Sequence, residues 1–227
     1  MSQPDPIIAG TMRGAWPSLP ALLVASAGVC AAATVPILIA PGLTPVTVVL
    51  YAVLAAPFLA ALAAVGNAAA FGDPATIRTW ATALRAHCAF AIRHALVPAL
   101  AGVLFLASLR LWARDHPLWM FPSLALTGAA TVLALLGLLA ILPLGVARPA
   151  LRGTILWITA LHLVARRPTR FIAVLCLAGL GIWTATAWTA SILLLVPAPA
   201  TLVTVAAVWT TVTESEPGTS SRCRPSP

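Results

Sequence analysis

Apolar residues in this chain come in long blocks, and the polar residues gather at the block edges. Six blocks read as membrane spans: 19–40, 46–69, 95–113, 123–146, 171–196 and 198–213. A helix needs about 20 predominantly apolar residues to cross the hydrocarbon. The first five blocks meet that length, and the sixth lies at its lower edge. Turn chemistry separates the blocks. Pro41-Gly42-Leu43-Thr44-Pro45 is a stretch no straight helix carries through, and Pro197-Ala198-Pro199 ends the fifth block. Pro57 lies inside the second block, which lipid tolerates where neighbours satisfy the freed carbonyl.

Two further segments are helical without being spans. Gly72-Asp73-Pro74 is a helix start, with aspartate as N-cap and proline at the first helical position. In the helix it opens, over residues 74–93, Arg78, Thr82, Arg85 and Arg93 share one face. Ile77, Trp80, Leu84, Cys88 and Ala91 share the other. That is the pattern of a helix lying in the membrane interface. Gly153–Ala165 is apolar but too short to cross, so residues 149–166 read as a second interfacial helix. The expected fold is all-α: a polytopic membrane helical bundle of six transmembrane helices plus two cytoplasmic interfacial helices. A polar tail over 1–18 precedes this single domain at 19–213, and a disordered tail over 214–227 follows it. The first block is too long for the apolar region of a cleaved signal, and reads as an uncleaved first span.

An offset of 77 residues brings out an internal likeness. Trp80-Ala-Thr-Ala-Leu84 falls on Trp157-Ile-Thr-Ala-Leu161, Arg93 on Arg170, and Leu100-Ala101-Gly102 on Leu177-Ala178-Gly179. Nine of the 23 positions from 80 to 102 match, and Pro45 falls on Pro122. Each unit is span, interfacial helix, span, entered and left on the same side, so the repeat is parallel.

Composition strengthens the membrane reading. The chain is 61% hydrophobic and 8% charged, with mean hydropathy +1.01. Soluble domains carry roughly a quarter charged residues. The net charge is +8, and every basic residue is arginine, which with abundant alanine reads as GC-rich coding, as in a bacterium. With the N-terminus inside, eleven arginines fall on the inner side and two, Arg110 and Arg114, on the outer. That asymmetry fits the positive-inside rule, with both termini cytoplasmic in a bacterial inner membrane. It accounts for the basic excess without nucleic acid.

Candidate chemistry is sparse. Asp5, Asp73, Asp115, Glu214 and Glu216 all sit at segment edges or in tails, so no block carries the carboxylate that proton or ion coupling usually needs. Asn67 is a neutral polar group near an inner end. His87 and His94 share a face but lack a nearby third ligand, and read as polar interfacial residues. Cys30, Cys88 and Cys176 read as small apolar residues, and Cys223 sits in the basic tail. No Gly-x-Ser-x-Gly sequence and no phosphate-binding glycine-rich loop occurs, so the chain is expected to be neither an enzyme nor an ATPase, with no cofactor or metal. The concentrated polar surface is arginine: Arg78, Arg85, Arg93, Arg148, Arg152, Arg166, Arg167 and Arg170. These are the candidate contacts to anionic headgroups or to a partner protein.

Three pieces of the chain resemble the YesL-like family of small bacterial membrane proteins: Pro57-Phe-Leu-Ala-Ala-Leu62, the basic aromatic segment at 76–96, and Pro149-Ala-Leu-Arg152 through Arg166-Arg167-Pro168-Thr-Arg170. The likeness covers about residues 36–213, and the chain departs from the family pattern in having no lysine and few acidic inner-loop residues. The family has no settled activity, and its association with carbohydrate uptake of the ABC type implies an accessory role, with transporter subunits as partners. The alternative is a transport component in its own right, for which Thr184, Thr186 and Thr189 would line a midplane cavity.

Overall fold

The computed structural model describes residues 6–115, 118–187 and 195–215. Within them the chain is helical, with no strand. The helices are α1 (Pro6–Ala15), α2 (Leu19–Ile39), α3 (Pro45–Ala70), α4 (Ile77–Asp115), α5 (Phe121–Ala147), α6 (Gly153–Arg166), α7 (Pro168–Ala187) and α8 (Pro197–Ser215), with a 3₁₀ turn at Leu118–Met120 before α5. Four of them, α2 to α5, are long and apolar enough to cross a membrane. Many large apolar side chains on these helices point outward, Leu38, Leu104 and Leu126 among them. A soluble monomer rarely exposes apolar surface on this scale, whereas lipid accepts it.

The helix starts follow local chemistry. Thr44 caps α3, its hydroxyl accepting from the Thr47 amide at 3.1 Å. The preceding turn passes through Gly42 at φ 95°, a conformation glycine adopts without a Cβ clash. The start of α4 corrects the expectation of an Asp73 cap. Thr76 and Thr79 exchange amide-to-hydroxyl bonds at 3.2 and 3.3 Å, a reciprocal cap that places the start at Ile77.

The largest departure from expectation is α4 itself. Residues 74–93 and 95–113 were expected as separate helices, but residues 77–115 form one helix of 39 residues. No proline occurs before Pro98, and the junction is built from good helix formers, so nothing local stops it. At about 1.5 Å per residue such a helix is roughly twice the ~30 Å hydrocarbon thickness. Its two halves have different partners. Trp80 packs against Gly28 of α2 and Phe58 of α3, while Phe90 meets Gly145 of α5 and Leu156 of α6. The first half therefore passes across the bundle. The second half climbs antiparallel to α3, with Ala91 and Ala95 against Ala56 and Ala60, then Gly102 near Val48. At its far end Arg110 donates to the Leu43 carbonyl at 3.3 Å.

In the corresponding later segment Pro168 does interrupt the helix, giving α6 and α7 where α4 is continuous. The 77-residue offset carries Ala70, the end of α3, onto Ala147, the end of α5, and Ile77 onto Thr154 in the first turn of α6. Pro45, Pro122 and Pro199 fall at the same spacing, each in the first turn of α3, α5 or α8.

Residues 6–15, expected as tail, form α1. Gly10 and Gly14 face the end of α3 so closely that a methyl at Gly14 would overlap the Ala69 backbone. Small residues one turn apart permit this approach. Glu214, also expected in a disordered tail, lies in the last turn of α8. Residues 188–194, expected within the fifth span, and residues 216–227 lie outside the described residues.

Candidate functional site

The arginine-rich end of the bundle is assembled by α8, which runs parallel to the final half of α3. Ala198 and Leu202 share a cluster with Phe58 and Leu59, Val205 meets Gly66, and Trp209 reaches Asn67. Asn67 is 6% exposed, and both polar atoms of its side chain are bonded. Its Nδ2 donates to the Pro143 carbonyl at 2.8 Å, and its Oδ1 accepts from Trp209 Nε1 at 3.0 Å. One amide thereby ties α3, α5 and α8 together. The Trp209 ring meets Phe71 edge-on at 5.0 Å, and the Arg148 guanidinium lies 5.7 Å from its centroid. That distance is within cation–π range.

A second cluster pins the end of α8 to the start of α7. Arg170 donates to the Thr210 and Thr211 hydroxyls at 2.7 and 3.3 Å and to Glu214 Oε1 at 2.7 Å. Arg167 Nε lies 3.2 Å from Glu214 Oε2. The hydrogen bond from Arg170 is the main cause holding the Glu214 carboxyl below its ordinary range. Arg167 and Arg170, read from sequence as candidate lipid or partner contacts, thus make internal bonds.

The remaining candidates divide into two groups. Arg78 and Arg85 are exposed on the first half of α4, and among the described residues neither guanidinium has a hydrogen bond or ion pair. Arg166 is exposed at the end of α6. Arg93 and Arg152 instead converge on a cleft of about 420 Å³ between α4 and the α5–α6 linker. His87, Phe90 and His94 line its α4 side, and Gly145, Pro149 and Gly153 line the other. Arg152 Nε donates to the Pro149 carbonyl at 3.2 Å, which holds that side chain along the linker.

Two smaller cavities, about 260 and 170 Å³, lie between the helices. Their walls are mostly alanine, leucine and valine, with Tyr51 in the first and Thr201 and Thr204 in the second. Both threonine hydroxyls donate to their own helix, to Pro197 and Ala200 carbonyls at 2.8 and 2.7 Å. Thr184, which would line the cavity of a carrier under the alternative reading, donates to the Gly181 carbonyl at 3.0 Å. Thr189 lies outside the described residues, and the Thr186 side chain is not described. Among the described residues no three His, Cys, Asp or Glu side chains come together as metal ligands.

Sequence reasoning singled out the arginines but missed the Asn67–Trp209 tie, whose partners lie 142 residues apart. The available signal was a lone amide in an otherwise apolar block, since buried polar groups require partners. No protein-family model, no curated protein and no solved structure matches this chain.

Proposed function

We propose that this protein is a non-enzymatic, multi-pass membrane protein with six crossings, accessory to a solute transport system, which engages its partner through the exposed basic face of α4. The observation that carries this reading is the division of polarity. The cavities between the helices are mostly apolar, and the two threonine hydroxyls of the smaller one are bonded within their own helix, as suits a packed core rather than a solute path. The guanidiniums of Arg78 and Arg85 face outward without a protein partner among the described residues. Charged groups left open in this way serve recognition and orientation more than stability.

The resemblance to the YesL-like family supplies the transport context, with carbohydrate uptake of the ABC type as the system served. The arginine partition supports a cytoplasmic location for the basic end, in a bacterial inner membrane. The coincidence of helix ends and of Pro45, Pro122 and Pro199 under one offset supports an internal duplication.

Affinity purification of the full chain from native membranes, with mass spectrometry of co-purifying proteins, tests the reading. Stoichiometric recovery of transporter subunits, lost in the Arg78→Gln/Arg85→Gln variant, is the expected result. Recovery of the chain alone sinks the accessory role. Recovery that survives the double substitution reduces the α4 face to a lipid anchor.

A further inference from the structure

We propose that the cleft between the first half of α4 and the α5–α6 linker binds a phosphate group, borne by a lipid headgroup or by a small soluble phosphate. This goes beyond partner docking and does not depend on it, because the cleft uses Arg93 and Arg152 rather than Arg78 and Arg85.

The argument begins with charge. Two guanidiniums line the cleft, and no carboxylate does. Among the described residues Arg93 has no ion pair, and Arg152 spends only its Nε, on a backbone carbonyl. The outer nitrogens of both remain available. A guanidinium matches the oxygens of a phosphate in paired hydrogen bonds, and it keeps its charge at any physiological pH.

The helix above adds donors. The N-cap of α6 is Arg152, whose side chain makes no capping bond. The first amides of α6, beginning at Gly153 in the cleft wall, therefore lack a side-chain acceptor. Uncapped N-terminal amides with the positive end of the helix dipole favour an anion.

An independent observation comes from His94. The residue is 7% exposed yet lines the cleft. Its Nδ1 lies 2.9 Å from the Phe90 carbonyl, an acceptor, so Nδ1 carries a proton. The opposite ring nitrogen, Nε2, has no protein partner among the described residues and is left to the cleft. A neutral ring accepts there from a P–OH group, and a protonated ring donates to a phosphate oxygen. Phe90 and Trp157 fix the ring, with centroids 4.5 and 6.4 Å away. At about 420 Å³ the cleft also falls within the usual size range of small-ligand sites.

The test uses the full chain in a mild neutral detergent. It is titrated with inorganic phosphate by calorimetry and, separately, with phosphatidic acid against phosphatidylcholine by native mass spectrometry. One saturable site is expected for at least one probe. Arg93→Gln and Arg152→Gln should each weaken it about tenfold or more, the order of a lost hydrogen bond to a charged group. Arg78→Gln and Arg85→Gln should leave it unchanged. Arg152→Lys keeps the charge but not the fork, and should weaken it even where Arg152→Gln folds poorly. Binding of inorganic phosphate assigns a soluble ligand, and selective retention of phosphatidic acid without it assigns a headgroup. Refusal of both probes overturns the proposal. So does equal weakening by all four glutamine substitutions, which would mark a diffuse basic surface.

Discussion

Glu214 shows how a single side chain sets where this fold is vulnerable. It bridges Arg170 and Arg167, and through them holds α8 against α7. The Arg170 hydrogen bond lowers its pKa from the ordinary 4.5. A carboxyl lowered in the folded state stabilises above its unfolded pKa, and that contribution disappears as pH falls through the folded value. The clip should therefore be intact at neutral pH and lost in acid below about pH 4.5, the ordinary carboxylate value. All three side chains are substantially exposed, so solvent screening limits the effect to at most about 1 kcal/mol. In detergent, Glu214→Gln should unfold at a slightly lower temperature than the parent at pH 7, and the two should converge as acid protonates the carboxylate. A gap that persists in acid would show that the carboxylate charge is not what holds α8. Asn67 teaches the complementary lesson. Its polarity stood out in the sequence, but its partners, Pro143 and Trp209, come from helices brought beside it only by folding.

At the scale of elements, the four long apolar helices α2 to α5 were legible because lipid imposes a length and an apolar requirement that a sequence must display. What the pattern concealed was how elements join and end. Residues 77–115 carry an amphipathic half and an apolar half, and periodicity treats the change of pattern as a boundary. The backbone has no reason to stop there, since helix breaks come from proline, glycine or competing side chains rather than from a change of surroundings. Pro168 provides such a break, and α6 and α7 part there. The α1 helix was hidden for another reason. It is short and begins in polar, proline-containing sequence, and its docking depends on Gly14 meeting the Ala69 backbone. A short helix of this kind is held by packing rather than by propensity. Gly14→Ala should therefore release α1 while leaving the rest of the bundle folded, because the methyl would meet backbone, which cannot rotate away as a side chain does. Limited proteolysis of the purified variant should cut near residues 14–18 where the parent resists, with the remaining core protected. Equal resistance in both proteins would mean that α1 is not anchored by that contact.

At the scale of the whole molecule, the arrangement of α7 and α8 decides what the chain is in a membrane. The start of α7 and the end of α8 lie together through Arg170 and Glu214, beside the ends of α3 and α5 that Asn67 joins. α7 leaves this end and α8 returns to it, so in the proposed membrane arrangement the pair adds two crossings or none. The depth of the hairpin separates the two. Ala198, in the first turn of α8, shares a cluster with Phe58, Leu59 and Leu62 of α3, while Val196 packs on Gly181 and α7 continues six residues beyond that contact. Six crossings require the α7–α8 connection to reach the far surface, where Arg110 meets the α2–α3 turn. Leu195 is 58% exposed at the start of the return, and reports on this directly. In a version with the four native cysteines replaced, Leu195→Cys should react with a membrane-impermeant maleimide from the same side as Gly42→Cys, in the turn at the Arg110 end. Thr154→Cys, beside the arginine-rich linker, should react only from the opposite side. A Leu195→Cys thiol protected from both sides would make α7 and α8 a re-entrant pair among four spans. The apolar cavities beside α8 would then lie where a broken helix pair meets the bundle, a setting in which irregular backbone at membrane depth is tolerated because protein surrounds it. Labelling from the Gly42 side would instead make the connection a third outer turn, and the spacing of Pro45, Pro122 and Pro199 would mark three helices that each begin at that surface and return toward the arginines.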